Sequence, residues 1–217
     1  MEHNWIVAED VHVYAAKYSD QESETLKALN EATHAEVRGA QMLSGAHQGA
    51  ILSMISQLVQ PKYVLELGTY TGYSAICLAT GMKESGAVHT IDIDDKLNAM
   101  RQTYWKKAGL EEKIVQHIGP ALSVIPTLDL TFDLVFLDAD KANYIAYFDL
   151  LIDILPIGAV IVADNVMFHG EVLKPVEERG KSAKNIQAFN DYVNASSRVS
   201  KVMLPVRDGI SIIKKLK

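Results

Sequence analysis

Cysteine is almost missing from this chain, since Cys77 is the single one among 217 residues. One cysteine cannot form an internal disulfide, and such a composition fits a reducing compartment, so we expect a cytoplasmic protein. Cys77 stands in a run of small and apolar residues, Ala75-Ile76-Cys77-Leu78-Ala79, that reads as the middle of a helix. A buried structural role is therefore expected for it rather than a catalytic one.

Long apolar runs and an excess of basic residues are also missing. No apolar run approaches the roughly 20 residues that a membrane helix needs. The first ten residues, MEHNWIVAED, lack the basic-then-apolar order of a secretion signal. A formal net charge of -6 disfavours a nucleic-acid or anionic-membrane partner, although a local basic patch would override it. We expect no membrane partner, and nucleic acid remains only a secondary alternative.

Strand-like and helix-like segments alternate from about residue 61 onward, after a helical N-terminal part. Strands are predicted at 63–67, 87–93, 113–118, 132–137 and 159–163. Helices are predicted at about 22–37, 47–59, 74–82, 96–108, 142–154 and 183–195. This alternation favours a parallel sheet with helices on both faces. We predict one domain over residues 1–217, with residues 1–60 as a helical cap on a core of residues 61–217.

The last 17 residues break the alternation of strand and helix. Apolar runs at 201–206 and 210–215 are separated only by Arg207-Asp208-Gly209, and an Asp-Gly pair between such runs indicates a hairpin. Pro205 confines the first run to a sheet edge or a bulge, because proline cannot donate to a ladder. The predicted fold is therefore an α/β, Rossmann-like, mostly parallel sheet of seven strands. Six strands are parallel and the last one is antiparallel, in a C-terminal hairpin.

A glycine-containing turn follows the first predicted strand, in the segment Glu66-Leu67-Gly68-Thr69-Tyr70-Thr71-Gly72. A dinucleotide fingerprint needs a second glycine where this chain has Tyr70, so an NAD-dependent oxidoreductase is disfavoured. Asp92, at the end of the second strand, is placed to hold ribose hydroxyls. With Glu66 adding negative charge, the pattern favours a cationic nucleoside such as S-adenosylmethionine (SAM). Taken alone, Gly68 and Gly72 are also compatible with a turn that only shapes the chain.

Carboxylates also follow the fourth and fifth predicted strands. Asp138, Asp164 and Asn165 offer hard oxygen ligands of the kind that Mg²⁺, Mn²⁺ or Ca²⁺ prefers. Lys141 lies one helical turn from Asp138, so it is a candidate general base for a hydroxyl bound to the metal. Asp138 with Lys141 has an ordinary interpretation as well, as the charged start of a helix. Asp164 with Asn165 likewise fits a turn after a strand. Their joint occurrence at neighbouring strand ends favours the metal site.

These segments resemble the cation-dependent class I O-methyltransferases of the caffeoyl-CoA and catechol O-methyltransferase group. The matching segments are ELGTYTGYSA (66–75), IDID (91–94), GPAL (119–122), FDLVFLDADKANY (132–144), DNVMFHG (164–170) and LPVRDGI (204–210). The resemblance implies metal ligands at Asp138, Asp164 and Asn165, with Lys141 as the base. It implies cofactor contacts at Met42, Ser44, Glu66, Gly68, Thr69, Gly72, Ser74, Asp92, Ala121, Asp138 and Asp140. It places His169 on the substrate side, and it implies a homodimer joined through the N-terminal helices.

The acceptor is the least determined part of this prediction. By the resemblance, the helical N-terminus and the segment 166–185 form its pocket. The cationic side chains of that segment favour an anionic acceptor such as a CoA thioester, or else form a solvated face; they are Lys174, Arg179, Lys181 and Lys184. Four aromatic side chains are candidates for the wall of a ring pocket or for the core; they are Trp5, Tyr144, Tyr147 and Phe168.

We therefore expect a SAM-dependent and divalent-metal-dependent O-methyltransferase that acts on a vicinal dihydroxy aromatic small molecule or its CoA thioester. An alternative keeps the chemistry and changes the acceptor to 5-hydroxyuridine in transfer RNA, which the acidic composition disfavours. The alternatives from other classes are the NAD-dependent oxidoreductase and a ligand-binding protein without catalysis. The latter would have no use for Lys141.

Overall fold

A seven-stranded sheet forms the centre of the structure, which is a computed structural model that describes residues 7–217. The strands are β1 (Tyr63–Leu67), β2 (Ala87–Asp92), β3 (Ile114–Ile118), β4 (Leu134–Leu137), β5 (Val160–Asp164), β6 (Val199–Leu204) and β7 (Ile210–Lys215). The helices are α1 (Glu9–Lys17), α2 (Glu24–Glu36), α3 (Gly45–Val59), α4 (Tyr73–Ala79), α5 (Asn98–Lys107), α6 (Ala121–Val124), α7 (Tyr144–Ile154) and α8 (Lys181–Ala195).

The strand order is β3-β2-β1-β4-β5-β7-β6. Strands β1 to β5 pair in parallel, and β7 is antiparallel to both of its neighbours, β5 and β6. Six strands therefore run in one direction and β7 in the other, as the sequence predicted. All four residues of β4 are buried, because a central parallel strand is covered by helices on both faces.

Side chains of β1 alternate between two hydrophobic cores, one on each face of the sheet. Leu65 and Leu67 pack in the core that contains Phe148 of α7. Val64 faces the other core, together with Leu52 of α3 and Trp105 of α5. Since successive residues of a strand point to opposite faces, one apolar strand serves both cores. The predicted placement of helices on both faces is confirmed.

The N-terminal helices cover one face of the sheet to different degrees. Helix α2 begins after Ser23, whose hydroxyl caps it by accepting from the Leu26 backbone N–H at 3.3 Å. It buries Leu29, and the Thr33 hydroxyl lies 3.3 Å from that of Thr71. Helix α1 buries none of its residues. Within residues 7–217, no helix has the length and apolar character needed to cross a membrane.

Element ends differ from the sequence predictions by a few residues. In the C-terminal hairpin the run 201–206 was predicted and the strand is Val199–Leu204, a shift of two residues at both ends. Pro205 ends β6 because it has no N–H to donate to the ladder. The predicted helix 74–82 ends at Ala79, and the following turn leads to Gly86 and β2.

The turn between β1 and α4 is fixed by two glycines in left-handed conformations. Gly68 has φ +100°, and a Cβ there would lie 2.1 Å from the carbonyl oxygen of Asp138. Gly72 has φ +84°, and a Cβ there would lie 2.5 Å from Nε1 of Trp105. The turn therefore packs its backbone directly against the end of β4, which only glycine allows.

We predict that Gly68→Ala lowers the free energy of unfolding by about 2–5 kcal/mol. A left-handed backbone costs an alanine about 1–2 kcal/mol, and the overlap with Asp138 adds about 1–3 kcal/mol. Gly109→Ala is the matched control, because Gly109 has φ +69° and a Cβ there would meet nothing within 4 Å. Its free energy of unfolding should fall by only about 1–2 kcal/mol, which is what the left-handed backbone costs an alanine. Urea unfolding measures both, and equal losses would contradict the close packing of the turn.

Candidate active site

Acidic side chains meet where β4 and β5 end. Leu137 of β4 pairs with Ala163 of β5, so the next residues, Asp138 and Asp164, stand level with each other at the same edge. Asn165 follows Asp164 and has φ +55°. The predicted ligand set is thus brought to one place by the register of two central strands.

Lys141 is held beside Asp138. Its Nζ donates to Asp138 Oδ1 at 2.9 Å and to the Tyr144 hydroxyl oxygen at 2.7 Å. The Tyr144 hydroxyl in turn lies 3.1 Å from the carbonyl oxygens of Leu137 and Asp164. Burial raises the pKa of Asp138 to about 6, against the lowering effect of Lys141, and the negative charge of Asp164 adds to the rise. A further positive charge at this place would therefore be stabilising.

Asp164 is almost completely buried and its two oxygens have different partners. Oδ2 accepts from Gln48 Nε2 at 2.6 Å, and Oδ1 accepts from the Asn165 backbone N–H at 2.7 Å. Asn165 Nδ2 donates to Asp208 Oδ2 at 3.1 Å, so its amide oxygen remains an acceptor for another group.

The donor set fits a hard divalent cation, since it consists of two carboxylates and an amide oxygen. Among residues 7–217 no three side chains of the His, Cys, Asp or Glu type are grouped as metal ligands. A cation site here therefore depends on the Asn165 amide as its third protein ligand. Such a set suits Mg²⁺, Mn²⁺ or Ca²⁺ better than zinc.

Asp92 locks the glycine turn to the end of β2. Its Oδ2 accepts from the backbone N–H groups of Thr69 and Tyr70 at 3.2 and 3.0 Å, and from Arg101 Nη2 at 2.9 Å. Arg101 is buried and its Nε also donates to the Tyr70 carbonyl at 2.6 Å. The N–H groups that would bind a diphosphate in a dinucleotide site are thus directed at a carboxylate of the chain itself. This agrees with the prediction that a dinucleotide is disfavoured.

A cavity of about 190 Å³ opens beside this turn. Four predicted cofactor contacts line it, namely Gly68, Asp92, Ala121 and Asp140. Its other lining residues are Ile91, Ile93, Gly119, Ala139 and Tyr147. Apolar walls with a carboxylate at one end are suited to a nucleoside, with the base between the walls and the ribose hydroxyls at Asp92.

Glu66 lies inside β1 and is fully buried. The Thr90 hydroxyl donates to its Oε2 at 2.5 Å, and its Oε1 has no hydrogen-bond partner among the described residues. Burial raises the pKa of Glu66 to about 7, and the Ser74 and Thr90 hydroxyls oppose this rise. The unpartnered oxygen leaves this carboxyl able to accept from a cationic ligand group.

The other predicted cofactor contacts lie around the same turn and at the start of α3. Thr69 Oγ1 is 2.6 Å from Thr90 Oγ1, and Ser74 is buried in the first turn of α4. Ser44 is buried directly before α3, whereas Met42 is exposed at the end of a short 3-10 helix. None of these four side chains lines the 190 Å³ cavity.

The predicted acceptor residues are more scattered. His169 has φ +56° and an exposed side chain, with Nδ1 3.7 Å from Asp208 Oδ2. Tyr144 is fully buried in the core, and Tyr147 lines the cofactor cavity and donates to Asp140 Oδ1 at 2.6 Å. Phe168 is half-buried beside His169. Trp5 lies outside the described residues.

Three side chains that sequence reasoning missed hold the acidic groups in place. They are Arg101 at Asp92, Gln48 at Asp164, and Arg207, which donates to Gln48. Arg207 falls within the matching segment LPVRDGI, which was a usable signal. Gln48 is a neutral residue on a helix face, and nothing in its spacing pointed to Asp164.

The sheet order, the glycine turn and the cavity at the carboxyl ends of the strands define a Rossmann-like nucleoside-binding enzyme fold. The chain belongs to the O-methyltransferase family, whose family model matches residues 16–216. It is therefore an enzyme that transfers a methyl group from SAM, and the expected family membership is confirmed.

Relatives with known names cover most of the chain. A probable caffeoyl-CoA O-methyltransferase 1 of Dictyostelium discoideum is 33% identical over 208 residues, which cover 94% of this chain and 90% of that protein. The caffeoyl-CoA O-methyltransferase 1 of Arabidopsis thaliana is 34% identical over 224 residues, which cover 96% of this chain and 85% of that protein.

Solved structures of methyltransferases share the fold. A Podospora anserina methyltransferase with bound SAH has a TM-score of 0.88 at 26% identity, covering 100% of this chain and 98% of that one. The Streptomyces achromogenes O-methyltransferase TomG, involved in tomaymycin synthesis and solved with SAM, has a TM-score of 0.85 at 28% identity, and all of both chains is covered. The predicted cofactor, SAM, is thereby supported.

The buried carboxyl of Glu66 predicts a pH-dependent stability. Because its pKa is about 7 when folded and near the ordinary 4.5 when unfolded, the folded protein binds the extra proton. Stability from this group is full below about pH 4.5 and falls as the pH rises toward 7. Glu66→Gln should remove this loss, so that the variant gains up to about 3 kcal/mol at pH 8 and little at pH 5.

Urea unfolding of the unliganded protein at pH 5 and pH 8 measures this gain. The control is Glu84→Gln, because Glu84 is exposed. A gain for Glu66→Gln that is the same at both pH values would show that the carboxyl is ionised in the folded protein.

Proposed function

We propose that this enzyme methylates one hydroxyl of a vicinal dihydroxy aromatic small molecule, or of its CoA thioester, with the help of a divalent cation. The observation that carries the proposal is the level position of Asp138 and Asp164 at adjacent strand ends, with Lys141 2.9 Å from Asp138. The named relatives of the caffeoyl-CoA type support the acceptor class.

Asp138, Asp164 and Asn165 are the residues that would hold the cation. When bound, it would act as a Lewis acid that makes an acceptor hydroxyl more acidic and neutralises the charge of the deprotonated oxygen. Mg²⁺ is the expected ion, because three protein oxygens leave room for water and acceptor oxygens in an octahedral shell. Two adjacent hydroxyls match this requirement better than one.

Lys141 is the proposed proton acceptor. In the structure its Nζ donates to Asp138 and to the Tyr144 hydroxyl, and both hold the amine beside Asp138, a proposed cation ligand. A neutral amine at Lys141 would take the hydroxyl proton, and the acceptor oxygen would then form a bond to the methyl carbon of SAM while the carbon–sulfur bond breaks.

The remaining task of the protein is orientation. Gly68, Asp92, Ala121 and Asp140 line the cavity proposed for the nucleoside part of SAM. Oδ2 of Asp92 is held by the turn and by Arg101, and its Oδ1 accepts from the Asp94 backbone N–H at 3.0 Å, which leaves a second acceptor position on Oδ1 for a ribose hydroxyl. Displacement by an oxygen nucleophile needs the two reactants in line, and holding them so supplies much of the rate.

Methyl transfer from labelled SAM to a panel of catechols and matched monohydroxy phenols tests this proposal, with Mg²⁺ and with EDTA. We expect transfer to the catechols only, and loss of transfer in EDTA that returns when Mg²⁺ is added in excess. Transfer that persists in EDTA would contradict the cation. Transfer to transfer RNA and to none of the catechols would contradict the acceptor class.

We predict that Lys141→Ala lowers the turnover number roughly 10²–10⁴-fold, because the proton acceptor is lost. The affinity for SAM should change little, since the cavity proposed for the nucleoside is not lined by Lys141. Lys106→Ala is the matched control, because Lys106 is exposed and pairs with Glu111 at 4.0 Å. Turnover of Lys141→Ala at the wild-type rate would remove Lys141 as the base.

A further inference from the structure

A line of hydrogen bonds reaches Asp164 from the hairpin loop between β6 and β7. Arg207 Nη1 donates to Gln48 Oε1 at 2.6 Å, and Gln48 Nε2 donates to Asp164 Oδ2 at 2.6 Å. Gln48 is 1% exposed, so both bonds lie away from solvent. Short bonds in a buried line strengthen one another and restrict the rotation of every group in it.

Arg207 is held in this line at a conformational cost. Its φ is +51°, in the left-handed region where glycine is favoured over a residue with a Cβ. A glycine would therefore serve the turn better than an arginine. What the arginine adds is its guanidinium, which donates to the carbonyl oxygens of Leu43 and Ser44 as well as to Gln48.

The direction of the Gln48 amide depends on Arg207. A glutamine amide has an oxygen end and a nitrogen end, and it can turn over when its partners do not distinguish them. Because the guanidinium only donates, it binds the oxygen end and leaves the nitrogen end for Asp164. The Asn165 backbone N–H holds the other oxygen of Asp164, so the plane of this carboxylate is fixed from both sides.

We propose that Gln48 and Arg207 are positioning residues that orient Asp164 for a divalent cation. The inference rests on the proposed function, in which Asp164 is a cation ligand. The two residues act in series: Arg207 fixes the orientation of the Gln48 amide, and Gln48 fixes the orientation of the Asp164 carboxylate. Groups that orient metal ligands commonly affect metal affinity 10–100-fold without touching the metal.

The same line connects the cation site to the N-terminal part of the chain. Gln48 lies on α3, and Leu43 and Ser44 directly precede this helix. Met42 and Ser44 are proposed cofactor contacts, so Arg207 ties the segment that would contact SAM to the residue that would hold the cation. A serial arrangement of this kind makes a specific prediction for paired substitutions.

Mn²⁺ binding to the full-length protein, measured by electron paramagnetic resonance of the free ion, tests the proposal. We expect Gln48→Leu to weaken Mn²⁺ binding roughly 10–100-fold and Arg207→Gly to weaken it to a smaller extent. The double variant should bind Mn²⁺ no more weakly than Gln48→Leu, because Arg207 orients Asp164 through Gln48 and the loss of its nearby positive charge does not disfavour a cation. Arg207→Gly relieves the backbone strain but leaves the carbonyl oxygens of Leu43 and Ser44 and the Oε1 of Gln48 without this donor, so its melting temperature should fall together with its Mn²⁺ affinity.

Two further variants make the result decisive. Arg198→Met is the matched control, because Arg198 likewise donates to a side chain and a carbonyl, at Asp153 and Ile152, but at the far end of α7. It should bind Mn²⁺ as the wild type does. Asp164→Asn reports on the cation site itself and should weaken binding strongly.

The outcomes separate the two levels of the proposal. If Asp164→Asn loses Mn²⁺ affinity and Gln48→Leu keeps it, the positioning role is wrong and the proposed cation site stands. If single effects of Gln48→Leu and Arg207→Gly add up in the double variant, the serial arrangement is wrong. If the wild type and Asp164→Asn bind Mn²⁺ equally, the cation site is wrong and the positioning role falls with it.

Discussion

Repulsion among carboxylates at one edge of the sheet is the constraint on which the rest of the site depends. The register of β4 and β5 sets Asp138 level with Asp164, and Asp208 approaches from the hairpin loop. Burial and the charge of Asp164 raise the pKa of both Asp138 and Asp208. Fixed donors from Lys141, Gln48 and Asn165 stabilise this arrangement, and a divalent cation would complete it.

The scaffold around this edge limits how far these groups can relax. The backbone of the glycine turn after β1 packs against the carbonyl of Asp138. Asp92 binds the same turn by accepting from the backbone N–H groups of Thr69 and Tyr70. The cavity proposed for SAM and the acidic edge therefore share one border. This explains how a methyl donor and a hydroxyl acceptor can be held at a constant separation, which in-line transfer requires.

Much of this arrangement followed from the sequence, because strand periodicity and strand-end residues are local signals. The parallel strands, the hairpin at Asp208-Gly209 and the adjacency of Asp138 and Asp164 were predicted in this way. The contacts that support the site were not predicted, because the hydrogen bond from Gln48 to Asp164 joins residues far apart in the chain. A glutamine on a helix also has no distinctive spacing. The burial of Glu66 and Tyr144 likewise depends on which neighbours the fold supplies.

The proposal that a divalent cation binds the acceptor is tested by calorimetry, which measures catechol binding to the SAH complex with and without Mg²⁺. It separates acceptor binding from the rate of transfer. We predict that Mg²⁺ tightens catechol binding at least about tenfold and leaves binding of the matched monohydroxy phenol unchanged, because two adjacent hydroxyls are needed to reach a cation at the acidic edge. Equal catechol affinity with and without Mg²⁺ would contradict it.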